Sequence, residues 1–530
     1  MRFSTVRWLH CASTPKLLSS GFPPPFAFLK TGKACPDIIS QTLRSFTTGS
    51  DKAHEIISDL VNDSSEEYSF AREYLRIPGT KQRLFLVQPR IKYGPRRNML
   101  TTSALQAAEN TTLVETLGWE IADTITLPVA SLDSPHIFGS GNFAMLQETI
   151  RSGAAKGISG IFLGANILNN MQMKAFRDAF HLPIYDRYRI VLEIFRSHAR
   201  TREAKLQVAL AELPYLRSVF RAADGDSSGI QPQSASSSGQ TWIGLRKQLI
   251  QDRESKIRKE LERIRAQRSL NRQTRTKNEI PSIAIVGYTN CGKTSIIKAL
   301  TNDSNLVPEN KLFATLDVTS HAGQLPNNIT ALYIDTIGFI SDIPTMLIAS
   351  FAAVLEEITV ADVIVHVRDI SHPDTKSQKE TVLQQLKELN LPERLLSNVI
   401  EVCNKCDQIS NLETVKKEIV PEEDALFTSA VTGEGLYALR ERMEEVLLEN
   451  SGLTEKSFRV PQSGKELSWL YREGHVHFAE ADPTDSEFLI VHVTISPSAL
   501  ARYVHEFKKA VYLDRKSMRA ARVRTPKPEA

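Results

Sequence analysis

Nine residues, Gly287–Ser295, "GYTNCGKTS", constrain this chain more than any others. The apolar run "PSIAIVG" leads into them and "KTSIIKAL" opens a helix beyond, so Gly287 and Gly292 fall at a strand-to-helix turn. Glycines there let the backbone curl until its N–H groups face a phosphate at a helix N-terminus. The fold is therefore α/β around a phosphate loop. Its candidate contacts are Gly287, Tyr288, Thr289, Asn290, Cys291, Gly292, Lys293, Thr294 and Ser295. Lys293 reaches the β- and γ-phosphates, and the Thr294 hydroxyl is placed to ligate Mg²⁺.

Downstream segments specify the nucleotide. "FATLD" (Phe313, Ala314, Thr315, Leu316, Asp317) follows the first helix, where a switch threonine, Thr315, would meet Mg²⁺ and the γ-phosphate. "ALYIDTIG" is a strand ending in D-x-x-G, with Asp335 facing the metal through water, Thr336 and Ile337 between, and the Gly338 N–H facing the γ-phosphate. "VIEVCNKCD" is a strand ending in N-K-x-D: Asn404, Lys405 and Asp407. The Asp407 carboxylate can accept both the ring N–H and the exocyclic amine of guanine, a pairing adenine cannot offer. "FTSA" then presents Ser429 and Ala430 to the guanine O6. The nucleotide is GTP or GDP, the metal ligands are Thr294, Thr315 and Asp335, and the catalytic candidates are Lys293, Thr315 and Gly338.

The position after D-x-x-G, which in Ras-like GTPases holds a water-orienting Gln, is Phe339. Either GTP is bound without turnover or the missing group comes from elsewhere. Asn290 is a candidate to hold K⁺ against the phosphates, the alternative being a side chain that only stabilises the loop. A bound partner ordering "GFISDIPTMLIASFAAVLEE" is the other source.

At 530 residues the chain exceeds one core. No apolar run reaches the roughly 18 residues a bilayer span needs, so no membrane insertion is expected. The net charge of +4 is unevenly spread: residues 1–50 carry +5, residues 246–279 carry +7, residues 514–530 carry +4, and the remainder −12. Residues 1–50, rich in Ser/Thr and spaced Arg/Lys with Asp37 the only acid, read as a mitochondrial transit peptide, which places the chain in the matrix. Of five cysteines, Cys403 and Cys406 form "CNKC", but they flank the guanine-reading motif and no second pair suggests zinc or redox chemistry.

The organisation read from periodicity is a linker over 51–81, a small α/β domain over 82–185, and an antiparallel helical hairpin over 186–279. A Ser/Gly/Gln loop at 222–240 interrupts the hairpin. A Ras-like G domain follows at 280–450, then an α+β unit at 451–513 and a basic tail at 514–530. The stretch "DRYRIVLEIFRSHARTREAKLQVALAELPYL" reads as one long helix, and "FGSGNF" (Phe138–Phe143) as a tight turn. The second hairpin helix places Ile250, Ile257, Leu261 and Ile264 on one narrow stripe and leaves basic faces suited to a polyanion.

"LPIYDRYRIVLEIFRSHARTREAKLQVALAEL", "VGYTNCGKTSIIKALT", "KLFATLD", "DTIGFISDIP", "HVRDISHPD" and "LSWLYREG" together resemble the HflX family of ribosome-associated GTPases, in its mitochondrial branch. The resemblance spans roughly residues 82–500 and carries a hydrophobic residue at the Phe339 position. It implies an N-terminal α/β domain, a two-helix linker and a G domain. It also implies a monomer that binds mitochondrial ribosomes, mainly the large subunit and its rRNA, in recycling and late assembly. Two places depart from the family: "SSSGQTWIGLRKQLIQDRE" keeps Gly239 and Gly244 without the P-G-E, and "GSGN" has Asn142 where a lysine is usual. The competing expectation is a GTP-sensing rRNA-folding scaffold with negligible turnover.

Overall fold

In the computed structural model the described residues are 81–92, 101–152, 157–225, 242–277, 280–304, 306–309, 311–341, 347, 352–389, 391–419, 425–483, 485–507 and 512–514. The expected transit peptide, nearly all of the linker and all but the first residue of the basic tail lie outside them.

The first domain runs β1 (Arg83–Ile91), α1 (Ser103–Thr116), β2 (Glu120–Val129), α2 (Ser140–Arg151), β3 (Gly160–Leu163), α3 (Asn170–Phe180) and β4 (Ile184–Asp186). Its four strands pair in parallel in the order β2-β1-β3-β4. Local chemistry sets the helix ends. Thr102 caps α1 by accepting from Leu105 N, and Asn169 and Gln172 form a reciprocal capping box at the start of α3. "FGSGNF" is not a free turn: Gly139 is the N-cap of α2 and Phe143 lies in its first turn, packed edge-on against Phe176. Two glycines lower helix propensity enough to hide this helix from periodicity, and the packing of Phe143 restores it.

The expected long helix is two. The Asp186 carboxylate caps α4 (Arg187–His198), which ends at Ala199 (φ −67, ψ 100). The chain then turns and re-enters helix as α5 (Arg202–Gly225), with Thr201 Oγ1 accepting from Ala204 N at 3.2 Å. A threonine that caps its own successor outcompetes helix continuation, although the apolar spacing carries straight through. The hairpin is therefore α5 with α6 (Trp242–Lys277). The pairs Arg202–Glu260, Glu203–Arg268 and Arg217–Glu254 fix them as antiparallel. Ile250 and Ile257 are buried in the seam, with Leu261 and Ile264 packed beside them. Helix α5 runs through Gly225, four residues into the expected loop, and 226–240 lie outside the described residues. Arg258, Arg263 and Arg265 on α6 are 60%, 63% and 61% exposed. Each is paired with a glutamate: Glu254 and Glu260 are already counted in the +7, and Glu356 lies outside that segment.

The G domain follows as β5 (Ser282–Gly287), α7 (Lys293–Thr301), β6 (Thr319–Gln324), β7 (Thr330–Asp335), α8 (Ala352–Thr359) and β8 (Val363–Asp369). It continues through α9 (Thr375–Glu388), α10 (Glu393–Ser397), β9 (Ile400–Asn404), α11 (Leu412–Ile419), β10 (Leu426–Phe427) and α12 (Leu436–Ser451). The six strands take the order β10-β9-β8-β5-β7-β6, parallel except β6. β5 is buried along its whole length, which is why it reads as an apolar run, while β8, buried almost throughout, carries His366 and Arg368. The strand order reverses beside β5, and the phosphate loop leaves its carboxyl end, the position where open α/β sheets bind ligands.

The last unit is β11 (Thr454–Pro461), α13 (Lys465–Glu473), β12 (His475–Asp482), β13 (Asp485–Ile495), α14 (Pro497–Glu506) and β14 (Tyr512–Asp514). Its antiparallel sheet, ordered β12-β13-β11-β14, is a split βαβ arrangement over a core of Phe458, Trp469 and Tyr503. One hydrophobic cluster ties the rest together. It runs from Leu84 and Tyr185 in the first domain through Phe195 and Leu206 to Phe313, Leu316, Phe339 and Ile340 beside the phosphate loop.

Candidate active site

The cleft at the end of β5 is lined by Thr289, Asn290, Gly292, Lys293, Thr294, Ser295, Phe313, Ala314, Thr315 and Gly338, all expected from the sequence, together with Pro308, Glu309 and Lys311. Pro308 and Glu309 lie in no motif, and Lys311 opens "KLFATLD" without a role assigned to it. They reach the cleft only because the chain between α7 and β6 folds back over it, and Lys311 is paired with Glu309 at 3.0 Å.

Within the loop, Asn290 is left-handed (φ 61) and exposed toward the cleft. Asparagine tolerates that conformation better than most residues. Lys293 is 7% exposed, and its ammonium donates to the carbonyls of Tyr288 (2.9 Å) and Gly287 (3.3 Å). Three oxygens converge next to it. Thr294 Oγ1 lies 2.6 Å from Asp335 Oδ2 and 3.1 Å from Thr315 Oγ1, which is 3.2 Å from the same carboxylate oxygen. Asp335 is 1% exposed, and its Oδ1 has no hydrogen-bond partner. Burial pushes its pKa up, against the hydroxyls and Lys293, which favour the charged form. Hard oxygen donors around an orphaned buried carboxylate oxygen suit Mg²⁺.

Gly338 sits against the loop. A methyl group there would stand 2.8 Å from Thr289 Cγ2 and 2.9 Å from Thr289 Cα. Phe339 N donates to Gly287 O and Phe339 O accepts from Thr289 N, so this segment is bonded directly to the phosphate loop. Gly338→Ala is expected to weaken binding of a non-hydrolysable GTP analogue by roughly tenfold, the cost of overpacking a close backbone approach. Fluorescent-nucleotide titration would test it, and an unchanged affinity would show that the contact gives way freely.

The base-reading residues form a second group. Asn404 Nδ2 donates to Cys291 O at 2.9 Å, linking them to the phosphate loop. Lys405 (φ 64) is paired with Asp369 at 2.7 Å, an anchor at the end of β8 that lies in "HVRDISHPD" and had no role assigned to it. Asp407 is exposed, and Ser429 Oγ donates to its Oδ1 at 2.6 Å. The Ala430 N–H is directed to Asn404 Oδ1 at 3.3 Å.

Other expected residues point away from the cleft. Leu316 and Ile337 are in the core, and Thr336 Oγ1 donates to Ile285 O. The Asp317 carboxylate faces Thr201. The Cys291 thiol is buried, which raises its pKa, and Cys403 and Cys406 are buried cysteines in no disulfide. The Tyr288 side chain reaches into the first domain. Its hydroxyl donates to Glu109 Oε1 (2.8 Å) and accepts from Ser341 N (2.7 Å), while Arg187 Nη2 binds Glu109 Oε1 (2.8 Å) and Ser341 O (3.1 Å). Burial holds the Tyr288 pKa well above the usual phenol range, so the hydroxyl stays protonated and can play both parts. Most of "GFISDIPTMLIASFAAVLEE" between Ser341 and α8 lies outside the described residues.

Three family descriptions match the chain in order: "GTP-binding GTPase N-terminal" over residues 105–196, "GTP-binding GTPase Middle Region" over 198–275, and "50S ribosome-binding GTPase" over 282–405. The junction at 196–198 coincides with the end of α4. Among individual relatives, GTP-binding protein 6 of Xenopus laevis is 42% identical over 81% of this chain and 80% of its own length. GTPase HflX of Alkalihalophilus pseudofirmus is 31% identical over 72% of this chain and 88% of its own. A solved GTP-binding protein from Sulfolobus solfataricus in complex with GDP aligns over 69% of this chain and 99% of its own length, at 22% identity and a TM-score of 0.35.

Proposed function

Since this chain belongs to the HflX family of GTPases, we propose that it acts on mitochondrial ribosomes, mainly on the large subunit and its rRNA, in subunit dissociation and large-subunit biogenesis. The observation that carries this reading is the fate of Phe339. Its side chain is 5% exposed and belongs to the core, so among the described residues the position after D-x-x-G presents no water-orienting side chain. The site is built to hold and polarise GTP and to wait for a partner that completes it. Support for a ribosomal partner comes from the match to a family described as a 50S ribosome-binding GTPase, and from the exposed arginines of α6. The basic, acid-poor residues 1–50 support the mitochondrial matrix.

In this reading Lys293 leaves its carbonyl partners for the β- and γ-phosphates. Thr294, Thr315 and Asp335 hold Mg²⁺, which supplies positive charge against the phosphate oxygens. The Gly338 N–H faces the γ-phosphate, and Asn290 lies on the loop where a K⁺ would add further charge. Lys405 and Asp407 take the base, with Asp369 and Ser429 holding them in place.

Sedimentation with mitochondrial large subunits under GTP, GDP and a non-hydrolysable analogue tests the proposal. Binding is expected to depend on the nucleotide. It is also expected to weaken as salt rises, since basic side chains that meet rRNA phosphates release counterions on binding. Single-turnover hydrolysis should rise on adding the particles. Association indifferent to both salt and nucleotide would defeat the reading, and inertness under every condition, K⁺ included, would favour the scaffold instead.

A further inference from the structure

Among the described residues, the segment carrying Thr315 has no helix or strand between α7 and β6. Thr315 itself meets Thr294 and Asp335, but contacts on either side of it come from outside the G domain. Phe313, two residues before Thr315, is 1% exposed and left-handed (φ 53), a conformation a bulky residue keeps only when its surroundings enforce it. Its ring meets Phe195 of α4 edge-on, with centroids 4.7 Å apart at 89°. Its carbonyl oxygen lies 2.9 Å from His198 Nδ1. A carbonyl only accepts, so the Nδ1 proton must be present, and burial lowers the His198 pKa so that the ring is otherwise neutral. Two residues after Thr315, the Asp317 carboxylate accepts from Thr201 N at 3.2 Å and from Thr201 Oγ1. The grips thus bracket Thr315 on both sides, and all come from the α4–α5 elbow, where the apolar pattern would have run on as one helix.

We infer that Phe195, His198 and Thr201 are positioning residues for GTP hydrolysis: from the elbow they clamp the switch segment so that the Thr315 hydroxyl stands beside Thr294 and Asp335. The inference rests on reading Thr315 as the switch threonine that meets the metal and the γ-phosphate. Its chemical consequence is selective. GDP lacks the γ-phosphate and has little use for a closed switch, so loosening the clamp penalises the triphosphate and the reaction and leaves the diphosphate alone.

The test uses the full chain with His198→Ala and Thr201→Val, singly and together, beside Thr315→Ala. For the double variant, affinity for a non-hydrolysable GTP analogue and the single-turnover rate are each expected to fall roughly tenfold, the worth of two lost hydrogen bonds. The Mg²⁺ concentration for half-maximal hydrolysis should rise, while GDP affinity stays within about twofold. His198→Asn, which keeps a donor, and Thr201→Ser, which keeps the hydroxyl, should restore the parent behaviour, separating positioning from misfolding. Equal losses for GDP and the analogue, or no loss for either, would overturn the inference. If Thr315→Ala impairs hydrolysis while the elbow variants do not, the clamp fails and the site reading stands. If Thr315→Ala is itself silent, the site reading fails and takes the clamp with it.

Discussion

Asp407→Asn is expected to lower GTP affinity by roughly 10²-fold or more and to turn the preference toward xanthosine triphosphate. The carboxylate is exposed, and Ser429 Oγ donates to its Oδ1, which fixes its plane at the end of β9. Guanine offers that carboxylate two donors, the ring N–H and the exocyclic amine. An amide in its place presents an N–H to one of them, so one hydrogen bond becomes a donor–donor clash. Xanthine carries a carbonyl where guanine carries the amine, and the new N–H has an acceptor again. Competition titrations with GTP, xanthosine triphosphate and ATP decide the matter. If the variant bound GTP as the parent does, the base would have to be read elsewhere.

Thr294→Ala should reduce single-turnover GTP hydrolysis by about 10³-fold, in the range found when one preorganised electrostatic contact is removed from a transition state. The Thr294 hydroxyl is the meeting point of the site, lying within hydrogen-bond distance of both Asp335 and Thr315. Without it the Asp335 carboxylate keeps its burial and its orphaned oxygen but loses its shortest hydrogen bond. Thr294→Ser retains the oxygen and should recover most of the rate. The discriminating measurement is a Mg²⁺ titration of hydrolysis for all three proteins. A Thr294→Ala protein with the parent's rate and Mg²⁺ dependence would remove this residue from the site.

What was legible from residue order alone follows from how local each element is. The phosphate loop needs only a strand, two glycines and a helix start within nine residues, and spacing carries all of that. The guanine-reading segment is equally local, since Asn404 ends β9 and Lys405 and Asp407 lie in the turn directly after it. The ends of α1 and α3 are likewise local, fixed by Thr102 on Leu105 N and by Asn169 with Gln172. By contrast, α2 opens on two glycines and is fixed by Phe143 against Phe176, a contact invisible to propensity. The elbow at Ala199 is a competition between a helical apolar pattern and one capping threonine, and periodicity sees only the first. The Asp369–Lys405 pair and the Glu109–Tyr288–Ser341 cluster join residues 36, 179 and 53 positions apart. No window along the chain contains such pairs. The same reason explains Asp317: its type and place suggested the nucleotide, and its partner is Thr201, 116 positions earlier.

The apolar cluster that runs from the first domain to Phe313, Phe339 and Ile340 bears on synthesis as well as on catalysis. A chain emerges from the ribosome N-terminus first, at roughly 5–20 residues per second. Phe195 is therefore made well before Phe313, whose ring packs on it, with an interval of about 6–24 s at that rate. During that time the hairpin can shield part of this surface, but the face destined for the switch segment stays wet and open to other hydrophobic chains. A nascent-chain chaperone would find its substrate there, and stalling synthesis between α6 and β6 should give the most aggregation-prone length of this protein.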